Sequence, residues 1–110
     1  MSVSSVLNTA TSGLKAASLK VETASHNIAN LHTEGYTRAE VSSTSLVTGT
    51  DSGAGVQAQI INSQIEGENQ DTRYLKDVIN LVEAKAAYKA NAEVLKTAEE
   101  LGREVVDITL

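Results

Sequence analysis

Two histidines, a glutamate and a handful of asparagines are where chemistry could begin in this chain. His26 and His32 are its only histidines, and Glu22 lies one helical turn before His26, so a metal ion would find at most two ligands there. A histidine near a helix end is more simply a capping or exposed group, favoured there by the negative end of the dipole. Serines are frequent, yet none sits in a nucleophile-elbow context and no third group completes a triad. Gly53, Ala54 and Gly55 follow no clear buried strand and open no helix, so they read as a turn rather than a phosphate cradle. Catalytic, cofactor-binding and metal-ligating residues are therefore all expected to be absent. The asparagines carry more weight. Asn27 and Asn30 stand one helical turn apart, Asn91 falls on an apolar stripe, and each would cost stability there unless bonded, so they are expected to bond helix ends or neighbours and to fix register. For Asn30, ordinary helix capping is an equal alternative.

Two long helical segments must position these residues. At one end Val3, Leu7, Ala10, Leu14, Ala17, Val21, Ala24, Ile28 and Leu31 recur in steps of four and three, the spacing of a coiled-coil seam. Ser2 or Ser4 could cap this helix, which should run to about residue 30. Gly13 weakens it by about 1 kcal/mol relative to alanine, and its presence within an unbroken stripe marks a close helix contact. Residues 30–35 then read as a turn in which Gly35 adopts a positive φ. At the other end Ala84, Ala87, Asn91, Val94, Ala98, Leu101, Val105 and Ile108 repeat the heptad spacing. A second stripe of Tyr74, Val78, Leu81, Tyr88, Ala92 and Leu95 lies beside it, with Tyr88 read as core. Two stripes on one helix require more than one neighbour. Asn69 or Asp71 is the candidate cap, and Glu99 four residues before Arg103 forms a favourable pair. The second helix should extend roughly 55 Å against roughly 42 Å for the first, so part of it must overhang.

Between the helices, residues 36–47 and a second stretch from Val56 read as two strands of a hairpin. Val56, Ala58 and Ile60 alternate with Gln57 and Gln59, the period of a half-buried strand. Residues 49–55 form a loop by composition, too glycine-rich for regular structure, and Ile60-Ile61 breaks the alternation, as a bulge or a change of direction would. The organisation is one structural domain in three parts: residues 1–35, a helix and polar turn; 36–67, a hairpin or irregular segment; 68–110, a long helix. The fold class is mainly α, with the terminal helices paired as an antiparallel coiled coil.

Composition limits what such a fold can do alone. The 110 residues contain no Phe, Trp, Pro or Cys, and three tyrosines are the whole aromatic content. Burial therefore relies on Leu, Ile, Val and many alanines, and at about 25 cal/mol per Å² of apolar surface such a helix pair is marginal as a monomer. Association would stabilise it. The net charge of −5 leaves no basic face for nucleic acid. No apolar run is long enough to cross a bilayer, and the N-terminus lacks the pattern of a cleaved secretory signal, so the chain reads as cytosolic or specially exported. The absence of cysteine excludes disulfides and thiolate metal sites.

The polar turn also carries a recognisable pattern. Ser25, Asn27, Ile28, Ala29, Asn30, Thr33, Gly35 and Tyr36 resemble the N-terminal signature of the bacterial flagellar axial proteins, the rod, hook and hook-junction family, which runs S-x-N-I-A-N-x-x-T-x-G followed by Tyr or Phe. Arg38 matches a basic residue common after the aromatic. His32 departs from the usual asparagine and Glu34 from the frequent proline. Independently, Ala87, Tyr88, Asn91, Val94, Thr97 and Leu101 are similar to the family's C-terminal signature. Ala86 stands where an arginine is usual, so no salt bridge of that arginine carries over.

What the resemblance implies is assembly rather than turnover: terminal helices that pair, pack against copies of the chain and other flagellar axial proteins, and build the inner tube of the axial structure. The short middle segment is similar to that of small proximal-rod proteins. The resemblance further implies export through the flagellar type III apparatus without a cleaved signal, location in the periplasm-spanning rod of the basal body, and no direct membrane insertion. The residues expected to carry packing are Leu7, Leu14, Val21, Asn27, Ile28, Asn30, Tyr88, Asn91, Val94, Leu95, Leu101 and Val105. A coiled-coil adaptor that binds one partner helix and never polymerises is the alternative, and an enzyme using His26 or His32 a third.

Overall fold

The computed structural model describes residues 3–48, 51–62 and 69–109. They form a long helix α1 (Val3–Ala29), an antiparallel pair of strands β1 (Ala39–Thr48) and β2 (Asp51–Asn62), and a longer helix α2 (Gln70–Thr109). The two helices pack against each other and the hairpin lies on α1. The molecule is mainly helical, as the two apolar repeats require.

Local chemistry sets the helix ends. Asn69 caps α2, its Oδ1 accepting the Thr72 backbone N–H at 2.8 Å, and Asp71 adds a negative charge to the first turn, where the dipole favours it. Ser4 lies inside α1 and is not its cap; Ser2 falls outside the described residues. Within α1 the hydroxyls of Thr9, Thr11 and Ser12 donate back to the carbonyls of Ser5, Leu7 and Thr9 at 2.8 to 2.9 Å. Polar side chains are thereby satisfied without interrupting the helix.

The helix pair is antiparallel and its stagger is marked at two points. Asn27 bonds Asp77 at 3.1 Å, and fourteen residues away along each helix Gly13 faces Asn91. Between and around these points the buried positions repeat by sevens: Ala10, Ala17 and Ala24 on α1, and Asp77, Ala84 and Ala98 on α2. Every buried hydrophobic residue described is an alanine. Each methyl contributes only about 0.8 kcal/mol, but small side chains let the backbones approach closely. Gly13 takes this furthest, since a Cβ there would lie 2.7 Å from Asn91 Nδ2 and 2.8 Å from its Cγ and Oδ1. The close contact expected at Gly13 is present, and Asn91 is its other half.

From this stagger, α2 must outrun α1. Its 40 residues span about 60 Å against about 40 Å for the 27 residues of α1, and the longest dimension of the molecule is 62 Å. Beyond the start of α1, Val105, Val106 and Ile108 are 58%, 54% and 82% exposed.

The hairpin differs from expectation in three ways. β1 begins at Ala39 rather than at Tyr36, because residues 30–36 are held in successive turns. β2 begins at Asp51, so the stretch read as loop belongs to the strand, with Asp51, Ser52 and Gly55 paired to β1 and Gly53 and Ala54 left between the pairs. The irregularity sits between Leu46 and Val47, whose partners jump from Gly55 to Ser52. Gly55 absorbs it with φ +116° while lying against Ser12, and Ser12 Oγ accepts the neighbouring Val56 N–H at 3.0 Å. Ile60 and Ile61, expected at a bulge or a change of direction, pair in regular register with Val41 and Glu40. Two adjacent isoleucines are accommodated because both remain about half exposed, at 58% and 48%. Elsewhere the expected alternation holds, with Val56 and Ala58 partly buried and Gln57 and Gln59 exposed.

Gly13→Ala is expected to destabilise the chain by about 1–2 kcal/mol, because the overpacking cost against Asn91 exceeds the helix-propensity gain of about 1 kcal/mol. In an Asn91→Ala background the same substitution becomes neutral or stabilising. Thermal melts of the four chains of this double-mutant cycle check the coupling, and additive effects would contradict the close contact.

Candidate functional site

The residues that converge are those around the end of α1. Asn27 stands in its last turns, 3% exposed, and its amide is fully used. Nδ2 donates to the Ala39 carbonyl at 2.7 Å and to Asp77 Oδ1 at 3.1 Å. Oδ1 accepts the Ala39 N–H at 3.1 Å and the Tyr36 hydroxyl at 2.9 Å. Two donors and two acceptor sites are all an amide offers, and here they join α1, the turn, the first residue of β1, and α2. The side chain pairs with the Ala39 backbone in both directions, as a neighbouring strand would.

Getting the chain from Asn27 back to Ala39 takes a tight turn. Asn30 closes its first part, Nδ2 donating to the His26 carbonyl at 2.9 Å and Oδ1 accepting the Thr33 hydroxyl at 3.1 Å. Its capping alternative is thus the one its bonds display. The Tyr36 N–H then reaches the Thr33 carbonyl at 3.3 Å, with Gly35 between them at φ +80°. That third turn position requires a positive φ, which glycine adopts without strain. Asn27, Asn30, Thr33, Gly35 and Tyr36 therefore form one bonded unit, in which polar spacing produces local geometry directly.

Arg38 and Asp77 complete the junction and are almost inaccessible, at 4% and 1% exposure. Arg38 donates from Nε at 3.1 Å and from Nη2 at 2.8 Å to Asp77 Oδ1, while its Nη1 lies 3.1 Å from Glu40 Oε1. Burial pushes the guanidinium pKa down, but bonds to Asp77 and its charge, followed by those of Glu40, outweigh this and hold it above its ordinary value. The guanidinium therefore keeps its charge, and its bonds to Asp77 make a strut between the turn and α2.

Asp77 is the residue that sequence reading missed. It sits seven residues before Ala84, and the heptad Ala84, Asn91, Ala98 continued backward lands on it. An aspartate there is the signal, since a carboxylate facing a seam needs a buried cationic partner, and Arg38 follows directly on the recognised turn.

The other packing candidates divide by face. Leu7, Leu14, Val21 and Ile28 are partly buried along α1, as are Asn91 and Leu95 on α2, and Asn91 also donates to the Ala87 carbonyl at 2.9 Å. Tyr88, Val94, Leu101 and Val105 are 47%, 46%, 52% and 58% exposed. Tyr88, read as core, is therefore on the surface of the single chain, because α1 covers the line through Ala84, Asn91 and Ala98 and not the flank beside it. The Glu99–Arg103 pair forms at 3.0 Å but is well exposed, where such pairs contribute little. Among the described residues no cluster of three or more His, Cys, Asp and Glu could hold a metal ion, and His26 and His32 are exposed. No described helix is long and apolar enough to cross a membrane.

Asp77→Ala leaves Arg38 buried without its principal partner, and a loss of about 3–5 kcal/mol is expected. Replacing both charges, Arg38→Met with Asp77→Leu, recovers most of it. Denaturation midpoints followed by circular dichroism test this; equal losses in the single and double variants would show that the pair is not what holds the junction.

Residues 7–37 match a family model described as flagella basal body rod protein. No curated protein matches the chain. The matched span covers most of α1 and the turn through Tyr36, ending next to Arg38, so it contains the bonded unit around Asn27. Over this segment, rather less than a third of its length, the chain is similar to the flagellar basal-body rod family.

Proposed function

We propose that this chain is a structural subunit of the flagellar basal-body rod, which assembles with copies of itself and with other axial proteins through the open faces of α2. One observation carries the reading: the apolar side chains are distributed inside out. Among the described residues the buried hydrophobic ones are all alanines, whereas Tyr74, Leu75, Ile79, Val82, Leu101 and Ile108 are among the large ones about half exposed or more. A stable monomer keeps its largest apolar side chains inside and exposes few contiguous ones. This distribution instead fits a chain whose larger side chains are covered by neighbours.

The spacing on α2 supports the same reading. Ala87, Val94, Leu101 and Ile108 lie seven residues apart, beside the line that faces α1, and all four are exposed. A helix with one line taken by its own partner and a parallel line free can join a further helix at the same pitch. Contacts between unlike surfaces of successive copies do not close on themselves, which suits a rod. In this role Tyr88, Val94, Leu101 and Val105 make contacts between subunits, while Asn27 and Asn91 hold the shape of each subunit. The reading includes passage through the flagellar export apparatus and residence in the basal body. A non-polymerising adaptor would use the same exposed line for one partner helix, and the two differ in stoichiometry.

Leu101→Asp and Val105→Asp should abolish concentration-dependent assembly, followed by light scattering, while the helical circular dichroism of the dilute chain is unchanged. A fixed small stoichiometry at every concentration favours the adaptor. In a strain lacking the chain, swimming is expected to be lost, restored by the native sequence and not by Leu101→Asp; full motility without the chain would refute the rod role.

A further inference from the structure

The junction contains two buried polar atoms with no hydrogen-bonding partner among the described residues, Asp77 Oδ2 and Arg73 Nε. They belong to one face of α2, a single turn apart, and both residues line a small cavity together with Asn27, Asn30, Tyr36 and Arg38. Its volume is about 20 Å³. We infer that this cavity is a binding site for one structural water molecule, which donates to Asp77 Oδ2 and accepts from Arg73 Nε–H.

Size, polarity and charge each select water. A single water needs about 10–15 Å³ of space for its centre, so the cavity admits one and no larger ligand. One partner is an acceptor and the other a donor, the complementary pair that water bridges and that neither a pure donor nor a pure acceptor could satisfy. An anion would face the Asp77 carboxylate, and a cation would face the guanidinium groups of Arg38 and Arg73. Asp77 Oδ1 already receives three donors, from Asn27 Nδ2 and from Arg38 Nε and Nη2, so only Oδ2 has capacity left. An unpaired carboxylate oxygen in a residue 1% exposed carries a large desolvation cost, and a bridging water removes most of it.

The site adds a connection that direct bonds leave open. Arg38 ties Asp77 to the turn, and Gln70 Nε2 donates to the Leu31 carbonyl at 3.4 Å, a long bond. The water brings Arg73, midway between Gln70 and Asp77, into the same network, so the first two turns of α2 become anchored through one carboxylate.

The test is a crystal structure of the full chain at a resolution that orders internal waters. Density is expected within hydrogen-bonding distance of both Asp77 Oδ2 and Arg73 Nε in the native chain. In Arg73→Met, which keeps the apolar stem, that density is lost while the Asn27–Asp77 and Arg38–Asp77 bonds persist. Direct contact between Arg73 and Asp77 with no intervening density, an empty cavity, or density that survives Arg73→Met would each overturn the bridge. If the variant does not fold, a nuclear Overhauser effect from water to the Arg73 Nε–H of the native chain decides: a long-lived contact supports the site and its absence refutes it.

Discussion

A charged pair with almost no access to water, Arg38 with Asp77, is the constraint on which the rest of the arrangement depends. Removing Arg38 leaves the Asp77 carboxylate buried without its bonded counter-charge, and removing Asp77 leaves the guanidinium to Glu40, which is itself partly exposed. Asn27 makes the pair part of a wider network by bonding the same carboxylate oxygen and the backbone of Ala39. From that point the ends of four segments are fixed: the exit of α1, the turn, the entry of β1, and the first turns of α2. The sequence consequence is narrow, since only a short amide, a glycine at φ +80° and a long forked cation two residues after Tyr36 satisfy the geometry together.

Away from this junction the helices are held by little. The fully buried apolar positions of the seam are alanines, and Gly13 meets Asn91, so close approach replaces bulk, and dispersion contacts between backbones replace burial of large side chains. Such a seam specifies distance well and stabilises weakly. The outer flank of α2 carries the opposite composition, with leucine, isoleucine, valine and tyrosine. Under the proposed rod role, stability in the isolated chain and stability in the assembly reside on different surfaces, and a substitution on one flank should perturb only one of them.

Much of this was readable from residue order because helices advertise their period. The two apolar repeats located α1 and α2, Asn69 marked a cap, and Gly35 and Gly13 announced a positive φ and a close contact. The hairpin was less legible. Composition around Gly53 and Gly55 argues for a loop, but ladder bonds to β1 and the seat of Gly55 on Ser12 extend the strand, and neither is visible without knowing what lies across. Asp77 escaped for a related reason: a carboxylate is scored as a surface residue unless its partner is known, and Arg38 is 39 residues away in sequence. Tyr88 misled because two adjacent stripes on one helix do not say which of them the chain itself will cover.

A heptad repeat is degenerate under translation: sliding one helix past the other by seven residues realigns the alanines and moves the ends by about 10 Å. Such a slip would even bring Asp77 alongside Lys20, an attractive pairing. It would also bring Val6 to the place where Gly13 faces Asn91, and a branched side chain cannot occupy that space. The missing Cβ at Gly13 thus works as a length standard. By forbidding the neighbouring stagger it fixes how far α2 projects past α1, and with it the axial step at which a following copy could begin.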